Sequence, residues 1–136
     1  MKMFPETHWE KNNYLFNFDG VKKYKGVYLV EGQLDCIKLW DLGIKNVVAV
    51  LGTGVSDKQR DLLTNNFHYV NIMLDNDEAG YDGTYGFYNT RNEYVEGIAD
   101  KLMGLMRVRV VKYRAEDPGS LTSRKQIQGI FTFSPL

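Results

Sequence analysis

This chain is organised around Leu74-Asp75-Asn76-Asp77-Glu78-Ala79-Gly80, which follows an apolar run at 69–73. Residues two apart in a strand share a face, so Asp75 and Asp77 would point the same way if strand geometry continues through Asn76. Hard cations such as Mg²⁺ prefer carboxylate oxygens of this kind. Taken alone, the stretch fits better as a polar turn with a helix N-cap, because Asp and Asn dominate both. A metal site is therefore indicated only if residues elsewhere in the sequence point to the same place.

Four continuous apolar runs predict buried β-strands at 27–30, 47–51, 69–74 and 108–113. Helical spacing predicts helices at 34–42, at 57–65 behind a Ser56 cap, and from a Thr90/Glu93 capping pair to about residue 105. Strands that are apolar throughout indicate a parallel sheet covered on both faces. The sequence therefore predicts an α/β fold with about four mainly parallel strands and helices on both faces.

Three stretches have no clear period. Residues 1–25 are interpreted as a lead-in segment, in which 14–18 is a short strand or a segment packed on the domain edge. The Gly- and Tyr-rich residues 81–90 predict an inserted loop, and the stretch 121–130 is weakly amphipathic. We expect one domain at 26–120, containing the inserted loop, followed by a C-terminal segment at 121–136.

The composition predicts a single intracellular domain. A chain of 136 residues with 43% hydrophobic content can close one core. The chain has 17 basic residues (Lys and Arg) and 17 acidic residues (Asp and Glu), so it has no net positive charge to attract nucleic acid. Any contact with nucleic acid must therefore come from a local group of basic residues. Cys36 is expected to be a small buried residue rather than a reactive thiol. With no signal peptide pattern and no apolar run near ~20 residues, we expect a cytoplasmic protein without a membrane partner.

Acidic residues gather where the predicted strands end. Glu31 follows the first strand, Asp75 and Asp77 follow the third, Asp117 follows the fourth, and Asp35 lies in the first turns of a helix. Because ligands bind outside the carboxyl ends of strands in open parallel sheets, these five carboxylates are expected at one edge. Any single acid is more commonly a solvated surface residue. Crowded carboxylates, however, repel one another unless a cation or protons intervene.

Four motifs, in this order and spacing, resemble the Rossmann-like TOPRIM domain in the version found in bacterial and phage-type DNA primases. They are Val30-Glu31-Gly32-Gln33-Leu34-Asp35, Leu51-Gly52-Thr53-Gly54, Leu74-Asp75-Asn76-Asp77-Glu78-Ala79-Gly80 and Glu116-Asp117-Pro118. Residues 13–18 with Lys22-Lys23, and residues 45–53, are similar to further primase segments. The resemblance covers about residues 12–80 and 100–119.

The resemblance implies metal-dependent phosphoryl chemistry, in which Mg²⁺ or Mn²⁺ orients and neutralises a nucleoside triphosphate or a phosphodiester. Asp75 and Asp77 would be the main metal ligands, and Glu31 would act as a ligand or as a general acid/base. Asp35 and Asp117 match further acidic metal-site positions. The implied activity is nucleotidyl transfer in RNA primer synthesis for DNA replication, with nucleic acid and nucleoside triphosphates as partners.

The chain also departs from the primase pattern. It has neither the cysteine cluster nor the basic subdomain that precede TOPRIM in a primase, and residues 81–89 lack the basic residue that family members carry there. We interpret it as a natural small protein, a fragment of a larger primase or a split-gene product, such as a phage would express in a bacterial host cell. Its partner would be a primase N-terminal region, a helicase or another replication protein.

Two alternative functions remain open. A TOPRIM nuclease would use the same acids to cut a phosphodiester. A non-catalytic TOPRIM module would bind a partner in a replication or transcription complex.

Basic residues form two local groups, Lys22, Lys23 and Lys25 before the first strand and Arg107, Arg109, Lys112 and Arg114 along the fourth. Arg107 and Arg109 share a strand face. Together with Lys22 and Lys23 they are candidates for a salt-sensitive contact with a nucleic-acid backbone. The simpler interpretation is a solvated edge strand, whose charges prevent edge-to-edge pairing.

Overall fold

The computed structural model describes residues 13–52 and 54–134. Its helices are α1 (Phe18–Val21), α2 (Gln33–Asp41), α3 (Asp57–Asn66), α4 (Glu78–Tyr85) and α5 (Ile98–Leu102). Its strands are β1 (Gly26–Val30), β2 (Val47–Ala49), β3 (Tyr69–Ile72), β4 (Phe87–Tyr88), β5 (Tyr94–Val95), β6 (Arg107–Tyr113) and β7 (Ile127–Thr132). Residues 1–12 of the predicted lead-in segment, and Thr53 of the second motif, lie outside the described residues.

One sheet of five strands, in the order β2-β1-β3-β6-β7, forms the centre of the fold. The pairs β1–β2, β1–β3 and β3–β6 are parallel. In register, Leu29 of β1 lies between Val48 of β2 and Ile72 of β3. The predicted α/β fold with four parallel strands is therefore confirmed.

Apolar side chains fill both faces of this sheet. On one face, Leu29 of β1 packs in a cluster with Leu63 of α3 and Leu102 of α5. On the other face, Val30 of β1 packs in a cluster with Leu39 of α2. All five side chains are completely buried, and each such burial stabilises the fold by roughly 1.5–3 kcal/mol. Helices therefore cover both faces, as the continuous apolar strands predicted.

Cys36 is buried on α2, as predicted. Burial raises the pKa of its thiol to about 12, and its sulfur donates a hydrogen bond to the Val47 carbonyl at 3.5 Å. Because the thiolate is the reactive form, Cys36 is a packing residue rather than a nucleophile.

The loop predicted at 81–90 is wrong, because this stretch contains most of α4 and all of β4. The side chain of Asp77 caps α4 by accepting a hydrogen bond from the Gly80 amide at 2.7 Å. Inside the helix, the Thr84 hydroxyl donates to the Gly80 carbonyl at 2.9 Å. Glycine disfavours a helix by only about 1 kcal/mol relative to alanine, and here the cap and the close fit of Gly80 against the Asp75 backbone outweigh that cost.

The helix predicted from residue 90 to 105 is wrong over its first half, where β5 pairs antiparallel with β4. The side chain of Asn89 accepts hydrogen bonds from the amides of Arg91 and Glu93 at 3.0 and 2.9 Å. These bonds close a turn between the two strands. Asn92 has a φ of 60°, a left-handed conformation that an α-helix does not accommodate. Helical geometry begins only with α5.

Strand β7, in the stretch read only as weakly amphipathic, pairs antiparallel with β6, with Val111 opposite Ile130. The C-terminal segment at 121–136 therefore contributes a strand to the central sheet. As a consequence, β6 lies inside the sheet, between β3 and β7. The interpretation of Arg107 and Arg109 as charges on a solvated edge strand is therefore wrong.

The segment at 14–18 packs on the true edge of the sheet. The Phe16 amide donates to the Ala49 carbonyl at 2.9 Å, and the Ala49 amide donates to the Phe16 carbonyl at 3.2 Å. This isolated bridge covers β2, whose backbone groups would otherwise offer an open edge. Among the described residues, no helix is long and apolar enough to cross a membrane.

Candidate metal centre

The carboxyl ends of β1 and β3 bring Glu31 and Asp75 together. The two strands are parallel neighbours, and the Met73 amide donates to the Leu29 carbonyl at 2.9 Å just beyond β3. The chain therefore leaves both strands side by side. The Glu31 Oε2 accepts a hydrogen bond from the backbone amide of Asp75 at 2.8 Å.

Asp75 carries a buried oxygen, Oδ1, with no hydrogen-bond partner among the described residues. Burial is the main cause that raises the pKa of the Asp75 carboxyl to about 7. A carboxyl hydrogen bond with Glu31 and the negative charges of Glu31, Asp35 and Asp117 act in the same direction. A buried polar atom normally has a partner, so this oxygen is placed to receive a proton or a cation.

Asp77 is the N-cap residue of α4, and its Oδ1 accepts the hydrogen bond from the Gly80 amide. The N-cap interpretation of this stretch is therefore confirmed. A carboxylate has two acceptor oxygens, and the cap occupies one of them. A metal-ligand role for Asp77 stays a prediction.

Gly80 allows α4 to begin directly against Asp75. A Cβ atom added at Gly80 would lie 2.0 Å from the Asp75 carbonyl oxygen, a separation that no side chain tolerates. Only glycine therefore permits this approach of helix to strand end. The spacing from Asp75 to Gly80 thus fixes where α4 starts relative to the acidic edge.

Asp35 and Asp117 organise the loop that follows β6. The Asp35 carboxylate accepts hydrogen bonds from the Gly119 amide at 2.8 Å and the Gly32 amide at 3.3 Å. Burial raises the pKa of Asp35, although these two backbone donors act against the shift. Asp117 accepts a hydrogen bond from the Ser120 hydroxyl at 2.8 Å. Both acids lie at the same edge as Asp75 and have partners of their own.

Two residues that the sequence analysis did not single out hold the loop after β3. The side-chain amide of Asn76 donates to the carbonyls of Tyr113 and Ala115 at 3.0 and 2.7 Å, and its backbone amide donates to the Glu116 carbonyl at 2.7 Å. The Tyr113 hydroxyl donates to the Leu74 carbonyl at 2.7 Å. The signal available in the sequence was the amide between two carboxylates, since Asn can donate where Asp cannot.

The five predicted acids thus lie at one edge but do not form a closed ligand cage. Within the described ranges 13–52 and 54–134, no three Asp, Glu, His or Cys side chains are grouped so as to hold a metal ion. Mg²⁺ is usually bound by one or two carboxylates, with water and substrate phosphate oxygens completing its shell. The pair of Glu31 and Asp75, with Asp77 close by in the chain, suits that open kind of site.

Residues 28–109 match a family model described as Toprim-like, and this match spans more than half of the chain. The chain belongs to the Toprim-like family. The expected TOPRIM domain is therefore confirmed. The sequence match to bacterial DNA primases confirms that it is close to their version, and the likeness to the DnaG catalytic core, at 28% identity and a TM-score of 0.66, identifies the α/β sheet as the TOPRIM fold.

Known primases resemble this TOPRIM chain in sequence and in fold. A DNA primase of Staphylococcus aureus (strain COL) is 35% identical over 85 residues, 59% of this chain and 14% of that protein. A DNA primase domain from Pseudomonas aeruginosa shares the fold, with a TM-score of 0.67 and 24% identity over 94% of this chain and 42% of that chain. A DnaG primase catalytic domain bound to ssDNA has a TM-score of 0.62 and 26% identity, over 90% of this chain and 38% of that chain. The TOPRIM chain spans less than half of each of these proteins.

The candidate nucleic-acid residues lie at the edge of the TOPRIM sheet opposite the acids. The His68 amide donates to the Lys25 carbonyl at 2.6 Å and the Arg107 amide to the His68 carbonyl at 3.2 Å, which aligns the starts of three strands. Strand β6 runs seven residues from Arg107 to Tyr113, about 20 Å at roughly 3.3 Å per residue. These basic residues and the acidic edge are therefore separate surfaces.

Three of the four basic candidates already have neighbours, because the Lys23 ammonium lies 5.4 Å from the centre of the Tyr24 ring and Arg109 and Lys22 also have partners. Arg109 donates to the Asn71 side chain at 2.9 Å and lies 4.2 Å above the Tyr69 ring. Lys22 pairs with Asp19 at 3.0 Å. Arg107 is exposed. Binding of nucleic acid by these residues and by Lys23 stays a prediction.

Proposed function

We propose that this TOPRIM domain is the Mg²⁺- or Mn²⁺-dependent catalytic core of a DNA primase, which transfers nucleotides during RNA primer synthesis. The observation that carries the proposal is the meeting of Glu31 with Asp75, whose buried Oδ1 lacks a partner among the described residues. The similarity to DNA primases in sequence and fold supports the same assignment.

The acidic edge fits a divalent cation. Asp75 and Asp77 would hold the ion, with Glu31 beside them. The raised pKa of Asp75 reflects burial and neighbouring negative charges, and a cation at the unpartnered oxygen would compensate both. The bound metal would supply neutralisation and orientation of nucleotide phosphates.

The chain's own residues would keep this site in place. Glu31 holds the Asp75 amide with one carboxylate oxygen, which leaves the second oxygen to bind the cation or to exchange a proton with the substrate. Asn76 ties the same loop to the end of β6. Asp35 holds the loop that carries Asp117 through the Gly119 amide. These contacts restrict the motion of the ligands, which favours a precise reactive geometry.

The proposed reaction requires more of a primase than this chain. Priming needs a template, two nucleotides and the metals in reactive geometry, and misplacement by about 1 Å costs on the order of a hundredfold in rate. The match to the Staphylococcus aureus DNA primase covers 14% of that protein. We therefore propose that it acts in the bacterial cytoplasm with a primase N-terminal region, a helicase or another replication protein, on nucleic acid.

A template-directed assay tests the proposal. The purified chain is given single-stranded DNA, labelled nucleoside triphosphates and Mg²⁺ or Mn²⁺, with and without the N-terminal region of the Staphylococcus aureus primase. We expect no primer from the chain alone, primer when that region is added, and loss of primer with Asp75→Asn. The matched control is Glu93→Gln, which neutralises an exposed carboxylate in the turn between β4 and β5.

Calorimetry with Mn²⁺ tests the metal site independently of priming. Asp75→Asn and Asp77→Asn should weaken Mn²⁺ binding, whereas Glu93→Gln should not. Equal Mn²⁺ affinity in the wild type, Asp75→Asn, Asp77→Asn and Glu93→Gln would refute the metal assignment. Metal-dependent cleavage of the labelled strand without primer formation would instead identify a TOPRIM nuclease.

A further inference from the structure

We infer that the groove between α4 and the central sheet binds the base and ribose of a nucleoside triphosphate whose phosphates lie at the acidic edge. This inference rests on the proposed function, because it places the nucleotide that the metal site would hold. The groove is distinct from the depression on the other side of Asp75, which is lined by Glu31, Asp35 and Gly52. Asp75 lines both.

The groove has the size and lining of a small-molecule site. Its volume is about 530 Å³, within the range of roughly 300–1,000 Å³ that is typical of ligand pockets. On the sheet side it is lined by the apolar residues Ile72, Leu74 and Val110. Asp75 and Asp77 line its acidic end. A ligand there would therefore have an apolar part against the sheet and a charged part beside the carboxylates.

Two tyrosines of α4 form the helix side of the groove. Tyr81 and Tyr85 are four residues apart, so they share a face of the helix, and their ring centroids lie 4.7 Å apart. Both line the groove. Tyr81 is 62% exposed, so a large aromatic surface is available to a planar ligand. Nucleobases stack on such rings with little sequence preference.

The charges favour a single nucleotide over a strand of nucleic acid. Glu78 adds a third carboxylate beside Asp75 and Asp77, and three acids repel an extended phosphate backbone. One triphosphate can reach the same place because a divalent cation neutralises its phosphates. Lys112, from β6, also lines the groove and adds attraction for an anionic ligand.

The tyrosines of the β4–β5 hairpin provide a contrast. Tyr88 is 69% exposed and packs against Tyr94 with ring centroids 5.3 Å apart, but neither residue is among those that line the groove. Tyr94 instead donates hydrogen bonds to the Tyr85 carbonyl and to Asp100. Tyr88 is therefore a matched control for Tyr81, since both are exposed tyrosines in the same part of the fold.

Equilibrium dialysis with radiolabelled ATP and Mn²⁺ tests the inference on the full chain. Loss of one base–aromatic stack should weaken ATP binding about fivefold or more with Tyr81→Ala. Tyr81→Phe, which keeps the ring, and Tyr88→Ala should both bind ATP like the wild type. Inorganic tripolyphosphate should bind wild type and Tyr81→Ala equally. Equal ATP affinity in wild type and Tyr81→Ala would overturn the inference.

Two further arms separate this inference from the proposed function. If tripolyphosphate binds with Mn²⁺ but ATP binds no more tightly, the metal site stands and the groove assignment fails. If tripolyphosphate does not bind, the metal assignment fails. Photolabelling with 8-azidoadenosine in the absence of metal then tests independently whether the groove binds a nucleoside. Label on the peptide that carries Tyr81 and Tyr85 supports the inference, whereas no label, or label centred on Tyr88, overturns it. Oligonucleotide binding that falls with Tyr81→Ala while ATP binding is unchanged assigns the groove to a template strand instead.

Discussion

The carboxylate of Glu31 accepts a hydrogen bond from the backbone amide of Asp75 at 2.8 Å, across the ends of two neighbouring parallel strands. The same two residues have carboxyl groups that repel each other when both are ionised, which contributes to the raised pKa of Asp75. Glu31 thus holds the backbone of Asp75 while opposing its charge. Stability and cation binding should therefore respond in opposite ways to the loss of the Asp75 charge.

Asp75→Asn should stabilise the fold at pH 8. The native pKa of Asp75, about 7, lies above the unfolded value of about 3.9. Protonation of Asp75 therefore favours the folded state, and this stabilisation is complete below pH ~4 and is lost as pH rises through ~7. We expect the free energy of unfolding of the variant to exceed that of the wild type by about 1–2 kcal/mol at pH 8. This is less than the full pKa shift implies, because the Asp75 carboxyl is partly exposed. The gain should be smaller at pH 5.

Urea unfolding at pH 5 and pH 8 measures this difference. Glu93→Gln is the control, because it removes an exposed carboxylate from the hairpin turn. A stability gain for Asp75→Asn that is the same at both pH values would show that the pKa of Asp75 is not raised.

Substitutions at Glu31 should separate its hydrogen bond from its charge. Glu31→Gln keeps an oxygen that can accept from the Asp75 amide, whereas Glu31→Ala leaves that amide without its partner and should cost about 1 kcal/mol more. Both variants remove the negative charge, so the pKa of Asp75 should fall in each. Urea unfolding measures the first effect, and carbon NMR titration of the Asp75 carboxyl measures the second. Equal stability of the two variants would show that the hydrogen bond contributes nothing.

Gly80→Ala should destabilise the protein and disturb the acidic edge. The added Cβ would meet the Asp75 carbonyl oxygen at 2.0 Å, so α4 or the loop must move, at a cost of about 2 kcal/mol or more. Gly54→Ala is the matched control, because a Cβ there has no neighbour within 4 Å. Thermal unfolding and Mn²⁺ calorimetry should show lower stability and weaker Mn²⁺ binding for Gly80→Ala, and little change in either for Gly54→Ala. Unchanged stability of Gly80→Ala would contradict the close approach of α4.

Neutralising Lys23 and Arg107 together should weaken binding of single-stranded DNA without altering Mn²⁺ affinity, because these residues lie at the edge opposite the acids. Each lost phosphate contact should reduce the slope of log affinity against log salt by about 0.7. Fluorescence anisotropy over a series of salt concentrations measures this slope. Lys58→Gln, an exposed lysine on α3, is the control. An unchanged slope in the double variant would exclude this edge from nucleic-acid binding.

Much of the fold was predictable from local sequence. The strands at the centre of the sheet are short runs of apolar residues that can be buried only between two layers, so their apolarity alone predicted a parallel sheet. The Ser56 cap was also predictable, because its partner Gln59 lies in the same turn. The placement of Glu31 and Asp75 at one edge follows from the rule that parallel strands end together.

Close local packing and tertiary contacts decided the remaining features. Residues 78–85 become a helix despite two glycines because Asp77 caps it and Gly80 fits against Asp75. Strand β7 forms because β6 offers it a backbone edge, which no pattern within 121–136 reveals. The sequence by itself determined which acids follow which strands. Only the folded chain determined that Asn76 spans to β6 and that Asp75 Oδ1 is buried, because each depends on atoms distant in sequence.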